Sequence, residues 1–130
     1  MTTDDLDAFA QAFNRHDLDA IMAMMTDDCV FEASAGPEPS GKRHSGQPAV
    51  RAAFAAVFAA APDSRWESAR HFVDGDRGLS EWIYRGTRAD GTRMEVAGCD
   101  VFTFRNGRIA VKNSFRKDRP PLARLIFDIR

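Results

Sequence analysis

Long apolar runs are missing from this sequence. The longest, Ala52 to Ala61, is too short to cross a bilayer and has a helical pattern, so no membrane span is expected. Cysteine is scarce: Cys29 and Cys99 stand alone, without a C-x-x-C partner or a histidine-rich neighbourhood. With three histidines in 130 residues, a metal site is not expected, and the two thiols read as reduced packing groups. An excess of one charge is also lacking, because the formal net charge is −1. Lys112, Arg116, Lys117 and Arg119 gather near the C-terminus, but a solvated strand end accounts for them, and nucleic-acid binding is not expected. Met1 is followed closely by Asp4 and Asp5 with no apolar stretch, unlike a signal peptide, so a cytoplasmic protein is expected.

What is present suits a single domain over 1–130, with a core at about 4–116 and a C-terminal arm over 117–130. Apolar residues make up 44% and charged residues 28%, enough to build one core and too apolar for disorder. Helical patterns fill the first 61 residues and strand patterns the rest, an order that predicts an α+β fold. Leu6, Phe9, Ala10 and Phe13 define one helix face, with Thr2 or Thr3 as N-cap. Leu18, Ile21, Met22 and Met25 define a second, capped by Asp17. Cys29 to Ala33 reads as a short strand, and Ser34 to Gly46 as a loop. A third helix starts near Pro48, carries Val50, Phe54 and Phe58, and stops at Pro62. Four strands follow, joined at Asp74-Gly75-Asp76, Asp90-Gly91 and Asn106-Gly107.

Treating the last two connectors as two-residue turns fixes the register. Arg105 then pairs with Arg108, and Asp100 lies opposite Asn113 on one side and Glu81 on the other. Ile109, Val111, Asn113 and Phe115 form the apolar, buried face of the last strand in that register. Glu81, Asp100 and Asn113 would form a polar row on an otherwise apolar surface. Buried carboxylates pair, neutralise or serve a purpose, and two side by side would leave one available as a base. Arg85 could instead neutralise the acids, and a bulge near Gly98 would flip the parity.

The stretches FAQAFNRHDLDAIMAMMTDDCVFEASAGPEPSG and AGCDVFTFRNGRI, with the order of elements between them, resemble the nuclear transport factor 2-like superfamily. That superfamily includes ketosteroid isomerases, limonene-epoxide hydrolases and SnoaL-like polyketide cyclases. The resemblance covers Leu6 to about Phe115. It implies a cone-shaped, curved antiparallel sheet wrapped by three N-terminal helices, a cystatin-like α+β roll. Asp100 matches the acid that helps hold the oxyanion in ketosteroid isomerases, but Phe9 and Ala33 stand where those enzymes carry their tyrosine and base. Steroid isomerisation by that mechanism is therefore argued against. Glu81 falls near an acidic position of the epoxide hydrolases, but Asn113 replaces the aspartate expected on the last strand. The SnoaL-like cyclases are the least contradicted relatives.

Two functions are compatible with these residues. One is cofactor-independent acid–base chemistry of a cyclase, isomerase or hydrolase type on an apolar, carbonyl-bearing small molecule. Asp100 would be the base, Glu81 and Asn113 would orient it, and His44 would donate from the rim, unless it is only a loop histidine. The other is a non-catalytic binding or dimeric scaffold module, which the residues at Phe9 and Ala33 favour. Phe31, Phe54, Phe58, Phe102 and Val111 would supply the apolar wall, and Arg85 could bind an acidic group. Trp82 and Tyr84 alternate onto the outer sheet face in this register, where a second subunit would cover them and give a homodimer.

Overall fold

Thr2 caps the first helix: its hydroxyl accepts the Asp5 N–H at 3.2 Å, and the Asp5 carboxylate accepts the Thr2 N–H at 2.8 Å. In the computed structural model, which describes residues 1–123, this helix is α1 (Thr3–Asn14) and buries Leu6, Phe9, Ala12 and Phe13. Asp17 caps α2 (Leu18–Ala23), its carboxylate accepting from the Ala20 N–H at 3.1 Å. Pro48 sits in the first turn of α3 (Gln47–Ala60), which buries Val50, Phe54 and Phe58. Between α2 and α3 run β1 (Met25–Glu32) and a short β2 (Arg43–Ser45) that the sequence pattern hid within a loop.

The strands β3 (Arg65–Asp74), β4 (Arg77–Thr87), β5 (Arg93–Arg105) and β6 (Arg108–Arg116) form the expected meander. The whole is a six-stranded, curved and unclosed sheet in the order β2-β1-β6-β5-β4-β3, with helices packed against it. All neighbours are antiparallel except β1 and β6, which pair in parallel. His71 on β3 meets the Ser80 hydroxyl of β4 through Nδ1 at 2.7 Å, while its buried Nε2 lies 3.5 Å from the Asp7 carboxylate of α1 without a hydrogen bond. At the C-terminal end, Leu122 makes an isolated bridge to Arg93, and the arm positions Leu125, Ile126, Phe127 and Ile129 lie outside the described residues.

The register departs from expectation in two places, and each reverses a face. Asn106-Gly107 is the expected two-residue turn, with φ of 53° and 76° and Arg105 opposite Arg108. Two residues later β6 bulges: Phe104 faces Ile109 but Thr103 faces Val111, so Ala110 is the extra residue. Ile109 and Ala110 are both buried, and beyond them the parity is reversed. Lys112 and Ser114 therefore point inward with Asp100, while Val111, Asn113 and Phe115 take the outer face.

The other departure is at Asp90-Gly91. The Asp90 carboxylate accepts the Thr92 N–H at 2.9 Å, Gly91 takes φ of 86°, and the Arg88 N–H donates to Thr92 O. This closes a three-residue loop over 89–91 rather than a two-residue turn. Ser80 consequently faces Asp100, and Glu81 faces Cys99 on the outer side. Trp82 and Tyr84 turn inward, each about 5% exposed, instead of lying on the outer face.

Gly98 marks no bulge, since the pairing runs unbroken through it on both sides. It serves close packing: a Cβ there would lie 2.3 Å from Phe115 O and 2.6 Å from the Trp82 ring. We expect Gly98→Ala to lower stability by about 1–3 kcal/mol through overpacking. Urea denaturation followed by tryptophan fluorescence checks this, and an unchanged midpoint would contradict the packing described.

Candidate functional site

A buried polar cluster occupies the middle of the inner sheet face. Asp100 Oδ1 accepts from Lys112 Nζ at 2.9 Å and from the Ser114 hydroxyl at 2.5 Å, and Asp100 Oδ2 accepts from Trp82 Nε1 at 3.0 Å. Lys112 Nζ also donates to Ser114 Oγ at 2.9 Å. The Lys112 and Asp100 side chains are only 6% and 8% exposed, so both charges rely chiefly on protein partners. An ammonium has three donors, and two are assigned by these contacts. Around it stand the rings of Phe13, Phe31 and Phe54, with centroids 4.9, 5.0 and 5.7 Å from Nζ. Burial pushes the Lys112 ammonium below its usual range, and Asp100 opposes that shift.

Between α3 and the sheet lies a cavity of about 350 Å³, at the small end of the usual range for ligand sites. Phe31 and Phe54 line it, with Trp66, Trp82 and Tyr84 from the strands and Ala53 and Val57 from α3. Its basic groups are Lys112, Arg116 and His44. His44 stacks on Phe31 at 5.7 Å, at the edge where β2 meets β1. Arg116 lies over the Tyr84 ring at 3.9 Å, and burial holds its pKa below the usual value. Asp100 lines a separate enclosure of about 20 Å³ behind Lys112, shared with Ser80, Trp82 and Phe102.

The expected site is thus only partly assembled. Asp100, His44, Phe31 and Phe54 stand at or beside the cavity. Phe102 packs behind it, and Phe58 stacks on His16 at 4.1 Å. Glu81, Asn113, Arg85 and Val111 do not join them. The Ala110 bulge carries Asn113 and Val111 outward, and the three-residue loop does the same for Glu81 and Arg85. Arg85 pairs there with Glu95 and, at 3.4 Å, with Glu67, so it neutralises neither Glu81 nor Asp100. The polar row Glu81–Asp100–Asn113 is replaced by Ser80–Asp100–Ser114, flanked by Lys112.

Lys112, Ser114, Trp82, Tyr84 and Arg116 are the residues that sequence reasoning left outside the site. A signal existed for the first two: Ile109-Ala110-Val111 breaks strict alternation, as an extra residue in a strand does. Burial raises the thiol pKa of both Cys29 and Cys99, which suits packing better than thiolate chemistry. Among the described residues, no group of three or more His, Cys, Asp or Glu side chains could hold a metal ion. No helix among them is long and apolar enough to cross a membrane.

This geometry can be set beside known proteins. The SnoaL-like domain profile matches residues 6–112, and the chain belongs to that family. A nuclear transport factor 2-like protein of unknown function from Mesorhizobium loti is 30% identical, with 89% of this chain and 90% of that one covered and a TM-score of 0.73. A candidate polyketide cyclase from Xanthomonas campestris pv. campestris is 21% identical over 88% of this chain and 89% of its own, with a TM-score of 0.78. TerC, solved after co-crystallisation with polyporic acid, is 19% identical over 88% of this chain and 90% of its own, with a TM-score of 0.73. Among curated proteins, none matches this chain.

Two measurements follow from the buried cluster. Removing one partner of a buried ion pair strands the other, so Asp100→Asn and Lys112→Met should each lower stability by about 3–5 kcal/mol. The double variant should lose less than the sum of the two, as urea denaturation of all four proteins would reveal. The second concerns pH. With the folded Lys112 pKa below its unfolded value of 10.5, the unfolded chain holds this proton more tightly. Stability should therefore rise with pH across the interval between the two values. Wild type minus Lys112→Met isolates that rise from the buried thiols and Tyr84, whose raised pKa values act in the opposite direction.

Proposed function

We propose that this domain binds an apolar small molecule in the cavity between α3 and the sheet, with the polar end of the ligand at Lys112. The observation that carries this reading is the buried ammonium at an aromatic wall, with two of its three donors assigned and the third available to a ligand oxygen. A desolvated donor of this kind is worth far more to a carbonyl or enolate oxygen than the same group in water. The small molecule co-crystallised with TerC supports the same use of the fold.

Acid–base turnover is the second reading, with Asp100 as proton acceptor and His44 as donor at the rim. The contact that favours it is the 2.5 Å hydrogen bond from Ser114 to Asp100, through which a proton could be relayed. Three donors already hold that carboxylate, so its role as counter-ion to Lys112 is the simpler one. Glu81 and Asn113, on the outer face, have no part in either reading. The two unpaired thiols suit a reducing compartment, and we take the location to be the cytoplasm. The outer face displays Phe72 and Phe115 at 47% and 51% exposure, and a second copy of the chain is our candidate for covering it.

The binding test is a thermal-shift screen with steroids, conjugated aromatic ketones and acids, terpene epoxides and fatty acids. A ligand at about a hundred times its Kd adds roughly 2.7 kcal/mol, a shift of several degrees. Ala53→Trp should fill the cavity and abolish the shift while the protein stays folded. A shift that survives this substitution would move the binding site elsewhere. For assembly, light scattering should give a dimer in wild type and a monomer in Phe115→Asp; a monomeric wild type would overturn that part.

A further inference from the structure

The charges around the cavity are one-sided. Its basic lining consists of Lys112, Arg116 and His44, and no carboxylate is among the lining side chains. Asp100 compensates Lys112 from behind, with both oxygens taken by protein donors. Arg116 meets no carboxylate at ion-pair distance: among the described residues it makes no ion pair within 4.0 Å and feels the Asp100 charge only from farther away, whereas Arg85, Arg43, Arg51 and Arg105 each meet a carboxylate on the surface. Its guanidinium carbon lies 3.9 Å from the centre of the Tyr84 ring, and the group carries five N–H donors in a planar fork. A half-buried guanidinium without a carboxylate is an unusual arrangement unless an anion visits it.

Lys112 and Arg116 stand four residues apart on β6, beyond the bulge and on the same face. Strand geometry separates such positions by roughly 13 Å between Cα atoms. Lys112 is deeper, at 6% side-chain exposure, and Arg116 shallower. Between them Trp82 and Tyr84 from β4 supply flat walls. One oxygen of a ligand would meet the inner ammonium, and an acidic group at its far end would meet the outer guanidinium.

We propose that the ligand is a flat organic anion, an aromatic or conjugated carboxylic acid or an equally acidic enol, with its acid group on Arg116 and a second oxygen on Lys112. This rests on the reading that the cavity binds a small molecule, and adds the class of molecule and the residue that selects it. Shape selection comes from the rings, charge selection from Arg116. Arg116 is a binding residue in this scheme, and no bond is made or broken at it.

The test uses the full chain and matched probe sets: one- to three-ring aromatic acids bearing a keto or hydroxyl group at the opposite end, their methyl esters, and the corresponding benzylic-type ammonium compounds. Isothermal titration should find an acid that binds about tenfold or more tightly than its ester, the order expected for a charge-assisted hydrogen bond. Arg116→Gln should erase that preference by weakening the acids far more than the esters, and Arg116→Lys should retain only part of it, since the fork is lost and the charge kept. Melting temperatures of both variants establish that they are folded, and Arg116→Lys carries the test should Arg116→Gln not fold. Esters or ammonium compounds binding as well as the acids, with the cavity-filling variant still abolishing binding, would overturn the anion assignment and leave the cavity reading standing. No binding by any probe set would overturn both.

Discussion

Everything at the candidate site depends on one interaction, the buried pair between Asp100 and Lys112. Two opposite charges removed from water are tolerable only together and only with their remaining hydrogen-bonding capacity met. Here Ser114 bridges the two charges, and Trp82 caps the second carboxylate oxygen. The pair in turn requires β6 to present Lys112 and Ser114 on the inner face, which it does because Ala110 is an extra residue in that strand. A strand without the bulge would put Asn113 opposite Asp100 and send the ammonium into solvent.

The cavity follows from the same arrangement. Trp82 can reach Asp100 because Gly98, across the strand pair, leaves room for its ring. Tyr84, two residues on, then faces the same way and receives Arg116. On the opposite side α3 contributes alanines and Val57 to the lining, small side chains that leave space open where a row of leucines would fill it. The result is a space with aromatic walls and a cationic bias between α3 and the sheet.

The order and nature of the elements were legible in the sequence because they rest on local signals. Helix periodicity, the caps at Thr2 and Asp17, Pro48 and Pro62, and the Asn106-Gly107 turn each act within a few residues. The family was legible for the same reason, as a sum of such signals in order. The site was less so, because facing is a parity and one residue reverses it. Phe31 and Phe54 were found from the faces of their own strand and helix, and Asp100 by counting across Asn106-Gly107, a register that holds as far as Ile109. Val111 and Asn113 were placed by alternation along β6, Glu81 and Arg85 by counting across Asp90-Gly91, and one bulge at Ala110 displaced the first two while a side-chain hydrogen bond at Asp90 displaced the others. The same errors hid Lys112 and Arg116, which read as a solvated strand end.

The most direct test of this account is the environment of the Lys112 side chain by nuclear magnetic resonance. With the chain selectively labelled at lysine, the Lys112 ε-methylene protons should shift upfield under the rings of Phe13, Phe31 and Phe54 and show cross-peaks to their ring protons. An ε-methylene at its ordinary solvent-exposed position, with no ring contacts, would mean that β6 is not bulged as described and that the buried pair does not exist.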